Sequence, residues 1–62
     1  MEVGKVVNVR LLSEGKFMTL GEYNGIEISV IRLKGFAKAG DIVRGVIKYD
    51  GNLDEYYVEA LE

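Results

Sequence analysis

The dipeptide Asn24-Gly25 stands between two runs of mostly alternating apolar and polar residues, 17–23 and 26–31, and this feature most narrows what the chain can fold into. Asn and Gly both accept positive φ, the backbone that a tight turn between antiparallel strands requires, so the segment is predicted to be a β-hairpin. Its register has two solutions. A two-residue loop sets Glu22 opposite Glu27 and Leu20 on the same face as Ser29, which opposes like charges and mixes polar with apolar groups. A three-residue loop of Tyr23, Asn24 and Gly25, with Gly25 left-handed, sets Met18 beside Val30, Leu20 beside Ile28 and Glu22 beside Ile26. The pattern favours the second. It predicts an inner face of Met18, Leu20, Ile26, Ile28 and Val30, and an outer face of Phe17, Thr19, Gly21, Glu27, Ser29 and Ile31.

The flanking segments repeat the period-two signal. Residues 3–12 read as a long strand in which Val7, Val9 and Leu11 alternate with Asn8 and Arg10, with Gly4 bending its start. Residues 42–49 form the next long strand, with Val43, Ile47 and Tyr49 on one face and Ile42, Arg44, Val46 and Lys48 on the other. Gly45 marks a point of curvature in it. Asp50, Gly51 and Asn52 supply a second turn. The final strand, 55–61, is expected to point Tyr56, Val58 and Ala60 inward and Tyr57 and Glu59 outward. Residues 35–40 are too few for a stable helix and fit one helical or 3₁₀ turn, with Phe36 as a plug. The class is therefore all-β: one domain over residues 1–62, a small five-stranded, closed or partly open antiparallel barrel. A chain this short buries only about 60% of its unfolded surface, and closing the sheet removes exposed edges.

Composition excludes more than it specifies. The 62 residues include no Cys and no His. Disulfides, thiolate zinc and the usual neutral-pH general base are thereby absent. Neither GxxxxGK[ST] nor GxGxxG occurs, and the acid pairs Asp54/Glu55 and Glu22/Glu27 read as solvated surface. No enzymatic activity, metal or cofactor is expected. No run approaches the eighteen or so apolar residues of a membrane span, and the start, Met1-Glu2-Val3-Gly4, is unlike a signal peptide. The expectation is a cytoplasmic protein with no membrane partner. Net charge is −2, unevenly spread: residues 1–48 hold all eight bases against five acids, and residues 49–62 hold five acids and no base. Such division suits a surface with one side fitted to polyanions.

Five strands in this order resemble the OB-fold. The motifs Gly4-Lys5-Val6-Val7, Phe17-Met18-Thr19-Leu20, Tyr23 through Ile28, Ala39 through Val46 and Tyr49-Asp50-Gly51 look like its anticodon-binding and single-strand-binding branch. Because residues 35–40 stand where many OB-folds carry a helix, SH3-like and TRAM-like barrels are the alternatives. In OB-folds the face of strands two and three, with the loops joining strands one to two and four to five, binds oligonucleotides. The resemblance thus implies a surface of Lys16, Phe17, Thr19, Ser29, Ile31 and Arg32, flanked by Ser13 and Asn52. It implies binding of single-stranded DNA or RNA with little sequence preference, bases stacking on Phe17 and cations tracking phosphate. The alternative is a protein-interaction barrel or accessory subunit, with a protein partner or a homodimer meeting Phe17, Ile31 and Val46 or an open strand edge.

Overall fold

The computed structural model describes residues 1–61 and contains seven strands: β1 Val6–Leu11, β2 Gly15–Lys16, β3 Thr19–Tyr23, β4 Ile26–Ile31, β5 Phe36–Ala37, β6 Ile42–Asp50 and β7 Glu55–Ala60. Glu62, counted above among the acids, lies outside the described residues. Five strands close into a barrel in the order β1-β3-β4-β7-β6, β6 returning to β1, and β2 pairs with β5 as a separate two-stranded sheet. All barrel pairs are antiparallel but one. β4 and β7 run parallel, Ser29 beside Tyr57 and Ile31 beside Glu59, where an antiparallel sheet throughout was expected. Parallel neighbours need a long connection, and here β5 and β6 lie between the two strands.

Alternation fills the interior. Val7, Val9 and Leu11 of β1, Ile28 and Val30 of β4, Ile47 of β6 and Val58 of β7 are buried, joined by Leu33 and Ala37, with Val43 and Ala60 packed against them. Each such aliphatic contributes on the order of 1.5–3 kcal/mol when removed from water, and this core holds a chain without disulfides. The inward positions predicted for β1, for Val43 and Ile47, and for Val58 and Ala60 are those observed.

The hairpin register is corrected. Leu20 pairs with Ser29, Gly21 with Ile28, Glu22 with Glu27 and Tyr23 with Ile26, so the loop is the two-residue Asn24-Gly25, at φ 51° and 78°. Gly21, not Leu20, faces the interior. A Cβ there would run into Val9 Cγ1 and Val30 Cγ2, so the closed barrel has room for hydrogen alone at that level. Met18 and Leu20 are consequently exposed, at 59% and 42%. The opposition of Glu22 and Glu27 is relieved from the far side, where Arg10 of β1 pairs with Glu22 at 2.7 Å. β4 keeps its predicted parity at Ile28 and Val30, while Ile26 lies beyond the core and is exposed.

Two aromatic placements also differ. Phe36 does not plug the barrel: residues 36 and 37 form β5, the Phe36 ring is 62% exposed, and Leu33 is the large side chain buried from this connection. Tyr49 is exposed rather than core, as is Tyr56; each continues its strand's inward parity past the end of the packed interior, and the two rings meet at 5.1 Å. Gly45 repeats the role of Gly21. A Cβ on it would strike Val58 Cγ1 and the Glu59 carbonyl, so β6 and β7 approach closely at the position where the sequence predicts curvature.

Candidate nucleic-acid interface

Lys16 and Phe17 are positioned by the small sheet. Lys16 of β2 lies opposite Phe36 of β5. The chain then turns through Phe17 at φ 69°, a left-handed backbone that costs an L-residue roughly 1–2 kcal/mol. Two hydrogen bonds hold it: the Phe17 N–H donates to the Gly35 carbonyl and the Phe17 carbonyl accepts from the Leu33 N–H, each at 2.9 Å. The result is an outward ring, 55% exposed, with the Lys16 ammonium 5.3 Å from its centroid. That is within cation–π range.

The other predicted residues divide. Arg32, also left-handed at φ 60°, directly precedes the Leu33 that bonds Phe17, and its guanidinium pairs with Glu59 at 2.8 Å. Ser29 lies on the outer face, beside Leu20 on one side and Tyr57 on the other. Ile31 is also outward, with Glu59 beside it, and Val46 flanks Glu59 from β6. Glu59, paired with Arg32 and, at 3.9 Å, with Lys48, therefore interrupts the proposed apolar patch of Phe17, Ile31 and Val46. Thr19 is not on the outer face. It stands opposite the buried Val30, and its hydroxyl donates to the Ser13 carbonyl at 2.9 Å and lies 2.7 Å from the Ser13 hydroxyl, so it fastens the loop after β1.

Two apolar residues outside the predicted surface join it: Met18, for which the register predicts an inward side chain, and Phe36, expected in the core, are both exposed. For Phe36 a signal existed: it lies between Lys34 and Lys38, both exposed, in a Gly-bounded stretch too short to bury it. The end of the barrel carrying β2 and β5 thus presents Phe17, Met18 and Phe36 with Lys16, Lys34 and Lys38.

The opposite end is acidic. β4 starts at the Asn24-Gly25 turn, and β7, parallel to it, starts after the loop 51–54, so Glu27, Asp54 and Glu55 gather where Lys16 and Arg32 do not. The Asp50 carboxylate accepts the Asn52 and Leu53 N–H groups at 2.9 and 3.3 Å, shaping that loop. Asp54 at φ 54° accepts a hydrogen bond from the Tyr49 hydroxyl. This bond, with smaller contributions from desolvation, Tyr56 and Asp50, raises the Tyr49 phenol pKa above its ordinary value. Asn52, expected to flank the interface, belongs to this acidic end.

Compared with protein-family models, with curated proteins and with solved structures, the chain matches none. The closed five-stranded barrel with its one parallel pair is compatible with an OB-like fold and, more broadly, with small OB- or SH3-like barrels. Among the described residues no helix is long and apolar enough to cross a membrane.

Proposed function

We propose that the protein binds single-stranded DNA or RNA, weakly and with little sequence preference, as an OB-type module of the single-strand-binding kind. The observation that carries this is the Phe17 ring, turned outward by a strained and doubly hydrogen-bonded backbone with the Lys16 ammonium over it. Stacking one base on an aromatic face is worth about 1–3 kcal/mol, and nearby cations follow the phosphates without reading sequence. Phe36 offers a second face beside Lys16. The footprint is short, because the acids of the loop 51–54 and of Glu27 repel phosphate at the far end of the outer face.

Titration of a fluorescein-labelled oligothymidine by anisotropy at low salt tests the reading. Binding is expected, with a logarithmic salt slope no steeper than about −3, since single strands release about 0.7 counterion per phosphate neutralised and this end carries at most four cations, Lys16, Lys34, Lys38 and Arg32, the last paired with Glu59. No binding at low salt, or binding unchanged in Phe17→Ala, overturns it.

A further inference from the structure

The barrel has a seam at its acidic end. Among the described residues β4 and β7 pair over residues 29–31 and 57–59 only. Below that the two strands separate, and a groove of about 370 Å³ opens between them. Four consecutive β4 residues, 26–29, line one wall and residues 54–56 the other, with Leu20 and Met1 at the margins. The lining is of two kinds: Leu20, Ile26, Ile28 and the Tyr56 ring are apolar, and Glu27, Asp54 and Glu55 are acidic. Of the described residues that line it, none is Lys or Arg. The three acids are not grouped to hold a metal ion, so the groove calls for an organic cation with apolar parts.

We propose that this seam receives an extended segment of a partner protein in which Lys or Arg alternates with aliphatic residues. An added strand suits the site because the β4 edge there is not covered by β7, and backbone pairing to a free edge supplies affinity while alternate side chains supply specificity. Side chains of a strand alternate in direction. One set enters among Ile26, Ile28 and Tyr56, on the inward parity of β4 and β7, while the other reaches Glu27 and Glu55 on the outer face, where Leu20 also lies, with Asp54 at the adjoining loop. Charge complementarity selects a cationic occupant and excludes the polyanion proposed for the Phe17 end. This site is independent of the nucleic-acid reading, and either stands if the other fails.

The probe is the capped peptide acetyl-Lys-Val-Lys-Val-Lys-amide, titrated into the labelled protein and followed by amide shifts. Shifts centred on residues 26–29 and 54–56 are expected, with affinity reduced at least fivefold in the double variant Glu27→Gln, Glu55→Gln. Both positions are exposed, so the fold is retained. The peptides Lys-Ser-Lys-Ser-Lys and Glu-Val-Glu-Val-Glu should bind several-fold more weakly. Equal binding by either control, shifts elsewhere, or an unaffected double variant overturns the proposal. So does concentration-dependent dimerisation in sedimentation that the double variant abolishes, since the occupant is then a second copy of the chain.

Discussion

The two ends of the barrel are built by different means. At the Lys16 end, rings and cations stand on a two-stranded sheet and on Phe17, held in left-handed backbone by hydrogen bonds to Leu33 and Gly35. At the Glu27 end the surface is a parting of two barrel strands, concave and acidic. One end offers exposed flat faces and positive charge, the other an apolar cleft with negative charge. A net charge of −2 conceals this division, and the lesson is that in so small a chain the distribution of charge along the strands says more about partners than its sum.

Both ends depend on the packed strands between them. Gly21→Val or Gly45→Val places methyl groups where Val9, Val30 or Val58 already stand. Overpacking of this kind costs about 1–3 kcal/mol and sometimes more, a large part of a small domain's stability. A thermal melt should show a drop in Tm or no cooperative transition, and both binding ends should fail together.

The next largest effect separates strain from function at the basic end. Phe17→Gly removes the ring but suits the left-handed backbone, so it should hold or raise stability by up to about 1 kcal/mol while oligonucleotide affinity falls by about tenfold, one stacked base. Denaturant melts with anisotropy read both quantities. Lost stability in this variant would mean that the ring serves packing.

The acidic end is sharpened by Asp54→Asn. The Asp54 carboxylate holds the proton on Tyr49, so the variant's ultraviolet phenol titration should move to lower pH. In the wild-type protein the folded-state pKa lies above the unfolded value of about 10. This contribution is therefore present below that pH and lost as pH rises through the folded pKa. The smallest effect is expected from Glu27→Gln, which removes the like-charge opposition to Glu22 and should stabilise by a few tenths of a kcal/mol in a denaturant melt.

Much of this architecture was legible in the residues. Val7, Val9 and Leu11 announced β1 by strict alternation, and Asn24-Gly25 announced the turn. The face of β3 was not legible, because hydrophobicity puts Met18 and Leu20 inside while the packed interior between Val9 and Val30 admits only Gly21. That is a limit of volume, set by strands distant in sequence. Phe17 and Lys16 adjoin in the chain, so their partnership was visible. The commitment of Thr19 to Ser13 and the interruption of Ile31 and Val46 by Glu59 depend on pairings that only the closed barrel supplies.

The outward ring beside β2 is the feature on which the nucleic-acid reading rests. An amide shift map with a short unlabelled oligothymidine at low salt tests it directly: perturbations should concentrate on residues 16–18 and 32–36. Perturbations gathered instead along residues 26–29 and 54–56, or none at all, would contradict it.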